Sequence, residues 1–151
     1  MSIEGTAALV GMRVMIVEDH IDCATGLGRL LRLFGCEVAI VANGRDAIRT
    51  ATQFVPQAAL IDLTLPGLDG FDVARQLRAL TVTRTCHLIA MTGWTAEDYI
   101  ERGRAAGFDA HLEKPIPAET LIHALSPIGA TSGTAWPSDE SASHPDGIEL
   151  L

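Results

Sequence analysis

Residues 58–70, Ala-Ala-Leu-Ile-Asp-Leu-Thr-Leu-Pro-Gly-Leu-Asp-Gly, restrict the fold of this chain more than any other stretch. An apolar run stops at a carboxylate, Asp62, and gives way to a Pro-Gly, Asp-Gly loop. A short continuous apolar run between turn formers, Pro56 before it and Pro66-Gly67 after it, reads as a strand buried in a parallel sheet. Asp62 then stands at the carboxyl end of that strand. In open α/β sheets ligands gather in the crevice outside those ends, whereas a lone Asp in a loop is more often a cap or a turn residue. The other strand ends decide between these readings.

Arg13–Val17 is a second such run and ends in Glu18-Asp19. From Asp22, which can cap the helix or favour its first turn, Leu27, Leu30, Leu31 and Phe34 recur at helical spacing, and Gly35 closes the helix. Glu37–Val41 comes next as a strand with Asn43-Gly44 as its turn, then Ala47, Ile48, Ala51 and Phe54 as a helical stripe stopped by Pro56. Beyond the Asp62 loop, Phe71, Val73, Ala74, Leu77 and Leu80 mark a third helix, with Asp69 and Asp72 as acids favouring its N-terminus. Residues 86–91 form a fourth strand that ends at Thr92-Gly93. Residues 95–106 are helical up to Gly107, and Ala110–Glu113 is a fifth strand delivering Lys114-Pro115. Ala118, Leu121, Ile122 and Leu125 give a last helix, closed by Pro127 and Gly129. Strands alternating with helices predict an α/β fold, a doubly wound five-stranded parallel sheet with helices on both faces. Residues 1–11 are a leader without periodicity, 12–128 the folded domain, and 129–151 a disordered tail rich in Ser, Pro, Gly and Thr. Within that tail, 148–151 reads as a frayed end rather than a docking stub.

The 48% apolar and 20% charged composition suits a soluble globular domain, and no apolar run approaches the roughly 18 residues of a membrane helix. A net charge of −8 repels phosphate backbones and anionic lipid, so neither a nucleic acid nor a membrane is expected as partner. Cys23, Cys36 and Cys86 are odd in number and widely spaced, which suits reduced thiols in packing roles. With no basic and apolar signal segment at the start, the cytoplasm is the expected compartment.

Together, strand one ends in Glu18-Asp19, strand three in Asp62, strand four in Thr92 and strand five in Lys114, all at one edge of one sheet. Clustered carboxylates raise one another's pKa unless a cation neutralises them, and an oxygen-only acidic set selects a hard ion such as Mg²⁺. An ammonium and a hydroxyl opposite that ion make the pocket complementary to a phosphoryl group carried by Asp62. His20, beside the acids, reads as a loop residue rather than a ligand.

This ordered set, with Leu65-Pro66-Gly67-Leu68-Asp69-Gly70 and Lys114-Pro115, resembles the receiver domain of two-component response regulators, the CheY-like family. The resemblance covers 12–128 and implies a flavodoxin-like (βα)5 fold with strand order 2-1-3-4-5. It implies that Asp62 is the phosphoacceptor, Asp19 a direct Mg²⁺ ligand, the Thr64 carbonyl a further one, and Glu18 an acid just outside them. Thr92 and Lys114 would bind the phosphoryl oxygens, and the Lys114–Pro115 peptide would be cis. Thr92 and the residue three before the Lys form the switch in this family; that residue is usually Tyr or Phe and here is His111. The expected output face is the fourth helix, fifth strand and fifth helix, with Tyr99, Ile100 and Leu112 as its elements. Trp94, two positions after Thr92, would lie over the site as a gate or as packing.

The activity implied is that of a signalling phosphoprotein rather than an ordinary enzyme, one that catalyses its own phosphorylation and dephosphorylation with Mg²⁺. Its partners would be a histidine kinase or histidine phosphotransfer protein of a two-component system or phosphorelay, and an output protein of unknown identity, with homodimerisation on phosphorylation open. Three rivals compete with this reading. A flavin-binding domain of the same fold needs a Ser, Thr and Gly loop where Glu18-Asp19-His20 stands. An Asp-based phosphohydrolase usually has a second acid where Thr64 stands. A receiver-like interaction module that takes no phosphate is the alternative that survives.

Overall fold

The computed structural model describes residues 8–93, 97–130 and 148–150. Five parallel strands, β1 (Arg13–Val17), β2 (Glu37–Val41), β3 (Ala58–Asp62), β4 (His87–Thr92) and β5 (Ala110–Glu113), lie in the order β2-β1-β3-β4-β5. The strand after β5 in that sheet is β6 (Ile148–Leu150), which runs antiparallel along β5. The five parallel strands and their order are those expected. The sixth strand falls in the stretch that reads as a frayed tail. Its physical basis is the open side of β5, whose unpaired backbone groups can accept another strand.

Five helices cover the two faces: α1 (Ile21–Leu33), α2 (Gly44–Phe54), α3 (Gly70–Ala79), α4 (Glu97–Ala106) and α5 (Ala118–Ala130). Alternation along the strands sends Met15, Val17, Ala59, Ile61, Leu88 and Ala90 to one side, under Ala47, Ala51, Phe71, Val73 and Leu77 of α2 and α3. Val14, Ile16, Ala58, Leu60, Ile89 and Met91 point the other way, against Leu31 of α1 and Leu121, Ile122 and Leu125 of α5. Every residue of β3 is buried, as a central strand covered on both faces requires.

Several boundaries differ from the sequence reading, each for a local reason. Asn43 is a cap rather than a turn residue: its side chain accepts from Asp46 N at 2.8 Å, so α2 opens at Gly44. Gly44 is needed there because a Cβ would lie 2.6 Å from the Leu68 carbonyl oxygen and 2.7 Å from Val73 Cγ2. At α1 the cap is His20, whose Nδ1 accepts from Cys23 N at 3.3 Å, while Asp22 stays in the first turn. β4 starts and ends one residue later than expected and so includes Thr92. Helix α5 continues past Pro127 to Ala130, although a proline there removes the donor to the carbonyl four residues back. The leader is packed where it is described: Leu9 is wholly buried and Gly11 N donates to the Gly35 carbonyl at 2.8 Å.

One side chain ties α3, β4 and the loop before β5 into a unit. Arg78 donates through Nε to the Gly107 carbonyl (2.9 Å), through Nη1 to the Arg84 (2.8 Å) and Cys86 (2.6 Å) carbonyls, and through Nη2 to Asp109 Oδ2 (2.7 Å). The same Asp109 oxygen accepts from Leu88 N at 2.8 Å.

Candidate functional site

Parallel register sets the site. Val17 pairs with Ile61, Asp62 with Met91 and Thr92 with Glu113, so four strands end level with one another. The residues at and just past these ends are therefore delivered to one crevice: Glu18-Asp19 after β1, Asp62 at the end of β3, Thr92 at the end of β4, and Lys114 after β5. Leu63 N donates to the Met91 carbonyl (3.0 Å) and Lys114 N to the Thr92 carbonyl (2.8 Å), which prolongs the pairing past the last strand residues.

The two oxygens of Asp62 are held differently. Oδ1 accepts from both the backbone N–H and the hydroxyl of Thr64, each at 3.0 Å. Oδ2 lies 3.5 Å from Lys114 Nζ. That ammonium donates to Glu18 Oε1, and Glu18 Oε2 accepts from His20 N at 3.1 Å. Glu18 and Asp62 are 2% and 3% exposed whereas Asp19 is open to solvent, so the cluster is two sunken carboxylates with a third at the mouth. Carboxylate oxygens of Glu18, Asp19 and Asp62 all lie within 4.8 Å of one another. The backbone beneath is supported by Gly70, where a Cβ would lie 2.8 Å from Leu63 Cα and strike the Asp62 carbonyl. The Asp-Gly pair at 69–70 thus has two tasks: Asp69 caps α3, accepting from Asp72 N at 3.0 Å, and Gly70 lets the helix end sit against the Asp62 strand.

Burial alone would lower the Lys114 pKa, but its hydrogen bond to Glu18 and the charges of Asp62 and Glu18 outweigh that and hold it above the usual lysine value. Cys23, partly exposed rather than a packed thiol, faces the same acids. Burial first, and then the Glu18 charge, push its pKa up, so the thiol stays protonated. Three carboxylates against one ammonium leave two formal negative charges in a half-sheltered crevice. This all-oxygen set with one open ligand fits a divalent hard cation that keeps some of its water.

The structure thus brings Glu18, Asp19, Asp62, Thr64 and Lys114 together and aligns Thr92 with them through the backbone. Thr92 and His111 are both buried, at 1% and 3% exposure, and His111 sits on β5 opposite Ala90. The Lys114–Pro115 peptide is cis, as the resemblance implies. Trp94 lies outside the described residues. Of the expected output elements, Leu112 is wholly buried, whereas Tyr99, its ring edge-on to Phe71 with centroids 5.6 Å apart, and Ile100 are half-buried. Arg102 covers that Phe71 ring at 4.1 Å. The paired donation of Thr64 to Asp62 is a contact that sequence reasoning misses, although a Thr two residues after an Asp is a spacing that favours such a local bond.

Among known proteins, residues 14–126 match the family described as the response regulator receiver domain. The transcriptional regulatory protein PrrA of Mycobacterium tuberculosis is 36% identical over 131 residues, which cover 85% of this chain and 55% of PrrA. Protein PilH of Pseudomonas aeruginosa is 31% identical over 116 residues, 77% of this chain and 96% of PilH. The chain therefore spans about half the length of the PrrA-type regulators. Of solved structures, the receiver domain of the sensor histidine kinase PA1611 from Pseudomonas aeruginosa is 31% identical with a TM-score of 0.75, over 81% of this chain and 100% of that one. That crystal has a magnesium ion coordinated in the active site cleft. The chemotaxis protein CheY4 of Vibrio cholerae is 25% identical with a TM-score of 0.76, over 79% of this chain and 99% of its own.

Proposed function

The chain belongs to the family of response regulator receiver domains, and from that premise we propose that Asp62 accepts a phosphoryl group from the phosphohistidine of a histidine kinase or histidine phosphotransfer protein. The observation that carries this reading is the asymmetric hold on Asp62: Thr64 fixes one oxygen, and the other faces Lys114 across 3.5 Å. A carboxylate oriented in this way, with an ammonium beside it, is placed for in-line attack on phosphorus. The O–P bond to Asp62 forms as the P–N bond of the donor breaks, and the departing imidazole takes up a proton.

Lys114, paired with Glu18 before transfer, is positioned to pass to the phosphoryl oxygens as charge gathers on them. Asp19 and Asp62, with the Thr64 carbonyl and with Glu18 beside them, would hold Mg²⁺. When bound, that ion supplies charge neutralisation to the phosphoryl oxygens. The buried hydroxyl of Thr92 would bind a phosphoryl oxygen and bias His111 on the next strand, which makes this pair the switch. Water later cleaves the acyl phosphate, so phosphorylation and its loss are both reactions of this domain, with no other substrate turned over.

The domain is read as 12–128, with an output protein engaged through the face of α4, β5 and α5 and homodimerisation on phosphorylation as a further state. Cytoplasmic placement is supported by free thiols at Cys23, Cys36 and Cys86; among the described residues no helix is long and apolar enough to cross a membrane. Acetyl phosphate with Mg²⁺ should add one phosphoryl group to the intact mass, and Asp62→Asn should abolish the addition. An unchanged parent mass, or an adduct that persists in Asp62→Asn, would overturn the assignment.

A further inference from the structure

We propose that the outer edge of β5 is a docking site for an extended strand, and that the chain's own Ile148–Leu150 segment fills it in cis as a replaceable occupant. In the parallel sheet β5 is the last strand, and its far side presents a row of backbone N–H and C=O groups that another strand can pair with. β6 uses that row, with Ala110 opposite Leu150, His111 opposite Glu149 and Leu112 opposite Ile148. The occupant has the sequence for it, since Ile148-Glu149-Leu150 alternates apolar, acidic and apolar, the pattern of a strand with one covered face.

Two features make the occupant replaceable rather than a fixed part of the sheet. It is three residues long, against five for β1, β2 and β3, so few ladder bonds hold it. Residues 131–147 separate it from α5 in the sequence, so its advantage over a competitor is the effective concentration that belonging to the same chain provides. Recognition at such an edge is by main-chain hydrogen bonds, with alternate side chains adding selectivity. Any partner that adds a strand to β5 must therefore displace this segment first. The site lies beside His111 and Leu112, two residues short of Lys114, but the inference rests on the strand pairing and does not need the phosphoacceptor reading.

The test is amide hydrogen exchange at residues 110–112 in the full chain and in two variants, Glu149→Pro and the double variant Ile148→Pro/Leu150→Pro. Successive N–H groups of a strand point to opposite sides, so one variant removes donors aimed at β5 and the other donors aimed away. The first kind should speed exchange at 110–112 on the order of tenfold, the worth of a ladder bond, and the second should leave it near the parent. Unchanged protection in β1 and β3 verifies folding in each. A synthetic Asp-Gly-Ile-Glu-Leu-Leu peptide should then bind the opened variant and not the parent. Parent-like exchange at 110–112 in both variants would overturn the inference, as would peptide binding equally to parent and variant. A dimer of the parent, seen in sedimentation and lost in the opened variant, would overturn the cis arrangement in favour of a strand exchanged between copies.

Discussion

At the scale of single residues, Lys114 is held between two opposed effects. Burial favours the neutral amine, whereas the bond to Glu18 and the nearby Asp62 charge favour the ammonium, and the second effect wins because its pKa is raised. The stability this pair contributes is present below the unfolded lysine value and is lost only as pH rises through the higher folded one, so the side chain is a fixed cation at neutral pH. Lys114→Ala should therefore leave Mg²⁺ binding largely in place while slowing phosphoryl uptake from acetyl phosphate, by roughly the 10²-fold or more that removing one charge-stabilising donor costs. Intact mass against time measures the second and a Mg²⁺ titration the first; uptake at the parent rate would remove Lys114 from the reaction. His87 responds the other way. Burial lowers its pKa, Asp109 opposes that, and Arg78 adds to the lowering. A depressed folded pKa means the unfolded chain takes up the proton first, so stability is full above the unfolded value of about 6.5 and falls as pH drops below it. His87→Gln should flatten the Tm difference between pH 7.5 and pH 5.5, and an equal difference in parent and variant would exclude His87 as its source.

At the scale of elements, β1 and β3 were legible because a parallel strand buried on both faces must be a continuous apolar run, and both fall where such runs lie. Edges were less legible where neighbouring residues serve equally well. Cys86 and Thr92 are both compatible with a strand, and only pairing with Glu113 of β5 places the latter inside β4. Helix starts depend on a cap side chain reaching forward to accept from an N–H of the first turn, which is why Asn43 reads as a turn until its bond from Asp46 N is seen. The Arg78 assembly had no sequence signal at all, since its acceptors at Arg84, Cys86, Gly107 and Asp109 are assembled by the fold. It is nonetheless the joint between α3, β4 and the approach to β5. Arg78→Ala should destabilise the domain by about 2–4 kcal/mol, because several carbonyls and the Asp109 carboxylate lose their donor together. Arg78→Lys should recover only part, lacking the planar fork. Urea unfolding of the three proteins checks this, and a loss under about 0.5 kcal/mol, the size of an ordinary surface substitution, would show that the joint is dispensable.

At the scale of the whole molecule, the site was legible for the same reason the fold was: each acid, hydroxyl or ammonium closes a strand or comes directly after one, so parallel register alone gathers them at one edge. The features that escaped the sequence depend on distance across that edge. The Thr64 bonds to Asp62, Cys23 facing the acids, the inward turn of Leu112 and the β6 pairing all need the folded chain. The inward turn reshapes the output expectation. Leu112 offers no side chain to a partner, whereas Tyr99 and Ile100 stay half-exposed, so a change at Leu112 would be carried by the backbone and by buried groups such as Thr92 and His111. Lys114 N is bonded to the Thr92 carbonyl, so a phosphoryl group that draws on both residues pulls on β4 and β5 at once, and the strand beyond β5 lies within reach of that pull. The phosphate mimic beryllofluoride with Mg²⁺ should therefore alter amide exchange in α4, β5 and α5, and at 110–112 in particular. By reciprocity, any variant that opens the β5 edge should shift the affinity for the mimic by the same factor that the mimic shifts strand docking. Titrating the mimic against parent and the opened proline variant measures that factor. Exchange changes confined to α2 would refute transmission through β5, and equal mimic affinity with unchanged exchange at 110–112 would show that the acceptor site and the docked strand are independent.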